Sequence, residues 1–123
     1  MARRVAVIGA SNNRRKYGNK AVRAFLAQGY EVLPVNPHEA VVEGVPAFRS
    51  VLDIPGPVDM ATMYVPPDVG AAIVEDLARK QVSEVWFNPG SESPSLVARA
   101  QALGLDVIEA CSITGAGDSP SRY

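Results

Sequence analysis

Between Gly9 and Gly18 the chain reads ASNNRRKY, a stretch dominated by hydrogen-bond donors and cations. Ser11 and Asn12 bring a hydroxyl and an amide. Arg14 and Lys16 bring charge, and a guanidinium can hold two phosphate oxygens at once. Gly9, with Ala10 after it, stands where an apolar run ends, and a glycine there lets a ligand approach the backbone closely. The set suits a phosphorylated ligand. The alternative is that Arg14, Arg15 and Lys16 form a solvated loop tip with no partner. Neither G-x-G-x-x-G nor G-x-x-x-x-G-K-[ST] is present, so P-loop nucleotide hydrolysis is unsupported.

A second polar cluster is Asn36-Pro37-His38, at the end of another apolar run. NAD-binding domains usually place Asp or Glu there for the ribose hydroxyls. With Asn36 in that place, a 3′-phosphorylated ribose meets no repulsion, and His38 is able to bond such a phosphate, more strongly when protonated. The competing reading makes His38 an exposed turn residue. His38 is the only histidine, and no strand end presents paired carboxylates, so no catalytic set is expected. Cys111, the only cysteine, reads as a small buried hydrophobe; it permits neither an internal disulfide nor a cysteine metal cluster.

The elements that must position these groups follow from the apolar pattern. Residues 5–9, 30–35, 58–65, 82–88 and 105–110 read as strands, with Pro34 marking an edge position or a strand end. Val22, Phe25 and Leu26 line one helix that stops near Gly29. Pro66-Pro67-Asp68 opens a second, with Val69, Ile73, Val74 and Leu77 as its core face. Ser93 caps a third, with Pro94 at its first position and Leu96, Val97, Ala100 and Leu103 facing inward. Residues 36–47 are turn-rich, residues 48–52 suit one helical turn, and about residues 111–123 form a loosely ordered tail. This alternation predicts an α/β, Rossmann-like, doubly wound and mostly parallel five-stranded sheet with helices on both faces, as one domain over residues 1–123. Ligands of such sheets sit beyond the strand ends at the topological switch point, here between the first and third predicted strands.

Composition sets outer bounds. A length of 123 residues suits a single core, and a formal net charge of −1 gives no global attraction to nucleic acid or anionic membrane. No apolar run approaches the ~20 residues of a membrane span, and the basic-then-apolar N-terminus is too short for a signal peptide. A cytoplasmic protein is expected.

The stretches VAVIGASNNRRKYGNKAV, GYEVLPVNP, GVPAFRSVLDIPGPVDMATMYVPPD, VSEVWFNPGSES and GLDVIEAC, in that order, resemble the small stand-alone CoA-binding domain proteins. Their fold is similar to the N-terminal domain of the succinyl-CoA synthetase alpha subunit. The resemblance implies coenzyme A as the cofactor. It implies Gly9, Ala10, Ser11 and Asn12 as the turn against the pyrophosphate, helped by Arg14 and Lys16, and Asn36, Pro37 and His38 around the adenosine 3′-phosphate. Tyr64, Val65, Pro66 and Pro67 would form a wall, with Asn88, Pro89 and Gly90 flanking the pantetheine arm. Relatives often carry Lys or Arg where His38 stands, Phe-Arg where Tyr64-Val65 stands, and Gln where Asn88 stands.

The first expectation is thus a non-enzymatic protein that binds coenzyme A or an acyl-CoA, as carrier, sensor or accessory to an acyl-CoA enzyme, or as a homo-oligomer. The alternatives are an NAD(H)-binding redox sensor or oxidoreductase accessory domain, and an interaction protein with an empty ancestral pocket.

Overall fold

A computed structural model describes residues 2–123. Five parallel strands form the main sheet: β1 (Arg4–Ile8), β2 (Glu31–Val35), β5 (Met60–Met63), β6 (Glu84–Phe87) and β7 (Asp106–Glu109), in the order β2-β1-β5-β6-β7. The chain leaves β1 toward β2 on one side and returns to β5 on the other. The switch point therefore lies between β1 and β5, as expected. β3 (Val41–Val42) and β4 (Val45–Pro46) make a small antiparallel hairpin inside the segment expected to be turn-rich.

Alternation along the strands divides the core. Ala6 and Ile8 face helix α2 (Pro67–Arg79) and helix α3 (Pro94–Ala102), whereas Val5 and Val7 face helix α1 (Tyr17–Ala27). Ser93 caps α3 by accepting from the Leu96 N–H at 3.2 Å, with Pro94 next, as read from the sequence. On α2 the sequence reading needs one correction. Val69 is 48% exposed and Gly70 is buried in its stead, while Ile73, Val74 and Leu77 pack on the core as expected. A Cβ on Gly70 would stand 3.1 Å from Leu96, so the glycine lets α2 lie close against α3. The expected helical turn after Phe48 is a 3-10 turn at Val51–Asp53.

Pro34 lies on the edge strand. Its carbonyl points outward and accepts from the Phe48 N–H at 2.9 Å, while the Asn36 N–H donates to the Phe48 carbonyl at 2.9 Å. The N–H that proline lacks would have pointed the same way, so β2 loses no bond to β1. Phe48 thereby straps the outer edge of β2. The opposite edge, β7, is four residues long with Asp106 and Glu109 exposed at its ends.

The tail is the second correction. Rather than lying loose, it forms helix α4 (Ser112–Gly115) and a 3-10 turn at Pro120–Arg122, and packs on α1. Ile113 is completely buried in the α1-side core. Asp118 accepts from the hydroxyl of Tyr123 at 2.7 Å and from the Ser119 N–H at 2.8 Å. These bonds, led by the one from Tyr123, hold its carboxyl down at about 2, and the same pairing raises the Tyr123 phenol. Small and polar residues hid a tail anchored by one isoleucine and one carboxylate.

Candidate functional site

The site begins where β1 runs out. Gly9 has φ +87°, and a Cβ there would stand 2.6 Å from the Tyr64 carbonyl oxygen. Gly18, in the first turn of α1, lies so near that a Cβ would collide with the Gly9 carbonyl. Two glycines thus pull the helix start onto the strand end, and the residues between them bulge outward. Inside the bulge Ser11 Oγ accepts from the Asn13 N–H at 3.0 Å, and Asn13 Oδ1 accepts from the Arg15 N–H at 3.1 Å. No side chain caps α1. The backbone N–H groups of Ala10, Ser11, Tyr17 and Gly18 have no acceptor among the described residues. A turn and helix start with open amides form an anion cradle.

The hairpin clamps this loop from outside. Asn12 Nδ2 donates to Glu39 Oε2 at 3.0 Å and to the Val41 carbonyl at 2.8 Å, and its Oδ1 accepts from the Glu43 N–H at 3.3 Å. Arg14 pairs with Glu43 at 3.5 Å. The buried Asn19 reaches the Ser11 carbonyl at 2.8 Å and Glu43 at 2.9 Å. Its oxygen accepts from Arg23 Nε at 2.7 Å, and Arg23 also donates to the main-chain oxygens of Arg14 and Tyr123, each at 3.0 Å. The folded tail is thereby wired to the loop.

A cleft of about 660 Å³ opens above the sheet's carboxyl end. Gly9, Ala10, Ser11, Lys16, Asn36, Pro37, His38, Tyr64, Val65, Pro66, Pro89 and Gly90 line it, so most of the residues singled out from the sequence converge. Four lie elsewhere. Asn12 and Arg14 are spent on the hairpin, Pro67 faces a shallow groove between α2 and α3, and Asn88 is buried below the cleft floor. Asn36 lines the cleft with its polar atoms committed: Nδ2 donates to the Ala10 carbonyl and Oδ1 accepts from the His38 N–H, both at 2.7 Å. Tyr17, Gly18, Met63, Val69 and Ser91 also line the cleft and were not foreseen. Gly18 had a visible signal, since it is a glycine in the first turn of the helix that follows the loop. Val69 follows the helix-opening prolines, and its place in the first turn of α2 leaves it overhanging the cleft.

Beneath the floor is a closed polar knot. Asn88 donates to Thr62 Oγ1 at 2.7 Å and to the Met63 carbonyl at 2.9 Å, and accepts from the Ser112 N–H at 2.8 Å. Ser112 Oγ bonds Thr62 at 2.6 Å and the Tyr64 hydroxyl at 3.1 Å. Burial pushes the Tyr64 phenol above its ordinary range. Cys111 is half-buried beside this knot and packs against the α1-side core, less enclosed than the buried hydrophobe expected. Among the described residues no cluster of three or more His, Cys, Asp or Glu side chains is arranged for a metal ion.

Residues 3–117 match the family described as a CoA binding domain. The chain belongs to the CoA-binding domain family. It is 48% identical over 65 residues to the alpha subunit of an ADP-forming acetate–CoA ligase II of Pyrococcus furiosus, covering 52% of this chain but only 14% of that subunit. It is also 27% identical over 107 residues to an uncharacterized protein of Bacillus subtilis, covering 87% of this chain and 79% of the relative. Among solved structures, a conserved hypothetical protein of Pyrococcus furiosus superposes with a TM-score of 0.85 at 34% identity, covering 92% of this chain and 98% of the other. The CoA-binding fold thus occurs both as a small protein and as a fraction of much larger ligases. No helix among the described residues is long and apolar enough to cross a membrane.

Proposed function

We propose that this chain binds coenzyme A or an acyl-CoA without performing chemistry on it. The pyrophosphate rests on the open amides of Ala10, Ser11, Tyr17 and Gly18, and those amides are the observation that carries the reading. Membership of the CoA-binding domain family and the convergence of the cleft residues support it. Lys16 supplies charge, whereas Arg14 and Asn12 hold the loop in shape through the hairpin. His38 stands at the cleft to meet the 3′-phosphate, and Asn36 fixes the turn that presents it. The NAD(H) alternative loses support at Asn36, whose committed amide leaves no carboxylate for ribose hydroxyls. The ligase activity of the larger relatives is not carried over with this unit. An enzyme that makes or consumes the thioester is the expected partner.

Thermal-shift titration tests the reading. A ligand that binds only the folded chain stabilises it by about 2.7 kcal/mol at a hundred times its Kd. Coenzyme A is expected to raise Tm, 3′-dephospho-CoA to raise it less, and NAD to leave it unchanged. Equal shifts for the first two would remove the role of His38, and a shift with NAD alone would overturn the assignment.

A further inference from the structure

Beside the cleft lies a second cavity of about 300 Å³, bounded by Tyr17, Tyr64, Asn88, Pro89, Cys111 and Pro120. Three of these, Tyr17, Tyr64 and Pro89, also wall the cleft, so the two spaces adjoin at the ends of β5 and β6. The cavity exists because the tail folds back. α4 follows Cys111 directly, and the turn at Pro120–Arg122 brings Pro120 over the opening.

Its lining is chemically quiet. The Asn88 amide is spent on Thr62, Met63 and Ser112, and the Tyr64 hydroxyl is engaged by Ser112. No buried side-chain nitrogen or oxygen among the described residues lacks a partner. None of the lining residues carries an ordinary positive or negative charge; the remaining surface is ring carbon, proline carbon, the Cys111 sulfur and the hydroxyl of the exposed Tyr17. A carboxylate placed there would be desolvated with no cation to meet it, and an apolar group would not.

We propose that this cavity receives the short, uncharged acyl end of a thioester whose nucleotide lies in the cleft. This rests on the coenzyme A reading given above and names the class of acyl group: a short aliphatic chain rather than a dicarboxylic one such as succinyl. Pro89 and Gly90 flank the arm, Pro89 stands at the junction, and the chain beyond the sulfur turns under Tyr17 and Tyr64. Cys111 acts as a soft wall and not as a nucleophile.

Calorimetric titration with coenzyme A and with acetyl-, propionyl-, butyryl- and succinyl-CoA tests it. Affinity is expected to rise by about fourfold per added methylene from acetyl to butyryl, following the free energy of burying each group. Succinyl-CoA is expected to bind at least about tenfold more weakly than butyryl-CoA. Cys111→Phe, which fills the cavity, should collapse the ratio of butyryl-CoA to coenzyme A affinity toward one. Should that variant not fold, Tyr17→Ala removes an exposed wall and should flatten the series in the same way. A flat series in the unaltered protein, a preference for succinyl-CoA, or chain-length dependence that survives both variants overturns the proposal while leaving coenzyme A binding intact. Failure of every compound to bind overturns the coenzyme A reading, and this inference with it.

Discussion

Replacing Lys16 and, separately, Arg14 with methionine distinguishes a ligand contact from a loop brace. The two cations are neighbours in sequence but not in role. Lys16 lines the cleft beside the open amides of Tyr17 and Gly18 and has no carboxylate partner among the described residues. Arg14 does not line it; its guanidinium reaches Glu43 at 3.5 Å, with 65% of the side chain exposed. An exposed pair of that kind contributes less than about 1 kcal/mol, so Arg14→Met should change coenzyme A affinity by less than about fivefold. A charge-assisted bond to a phosphate contributes about 1.5–3 kcal/mol, at the low end for a solvated lysine. Lys16→Met should therefore weaken binding by about tenfold, equivalent to about 1.4 kcal/mol. Calorimetry at low and at physiological salt reads both numbers. Lys16→Met should also lessen the decline of affinity with salt, because the removed interaction is a screened one. Equal losses for the two variants, or full affinity in Lys16→Met, would refute the division of labour between cleft and hairpin.

Other substitutions probe the frame. Gly18→Ala drives a methyl into the Gly9 carbonyl and should cost about 1–3 kcal/mol in denaturant unfolding, with coenzyme A binding reduced further as the cradle opens. Asn88→Ala strands the buried Ser112 N–H, while Thr62 Oγ1 keeps its bond to the Ser112 hydroxyl; a buried unsatisfied group costs about 1–3 kcal/mol, and a fall in Tm of several degrees is expected in melts without ligand. Asp118 has its folded pKa depressed from 3.8 to about 2, so its stabilising contribution is present above pH 4 and disappears as pH falls toward 2. Asp118→Asn should lower Tm at neutral pH and shrink the Tm difference from the parent in melts near pH 2; an unchanged difference across that window would contradict the assignment.

The five main strands were legible because parallel strands covered on both faces read as apolar runs, and VAVI and MATM do so plainly. The cleft was legible for a topological reason: residues at the carboxyl ends of β1, β2, β5 and β6 must meet once the sheet is wound. What escaped detection depends on pairing, which one-dimensional pattern does not contain. Asn12 and Arg14 looked like ligand groups because their partners, Glu39 just before the hairpin and Glu43 at its turn, are remote in sequence. Asn88 was expected beside the pantetheine arm; its amide is instead held by partners on β5 and α4 that are remote in sequence. The tail looked loose because its order comes from Ile113 and Asp118, two residues among small polar ones.

The strap that Phe48 lays along β2 bears on how the molecule behaves in a crowd. One rim of the sheet is already zipped shut by its own chain and interrupted at Pro34. The other offers a stranger only a short, acid-tipped stub. Cross-β templating needs a long, bare, uncharged margin, and neither rim supplies one. At the concentrations reached during overproduction, copies of this fold should stay apart along their strands, and any clumping should begin at the exposed side chains of Tyr17 and Val69 around the cleft mouth.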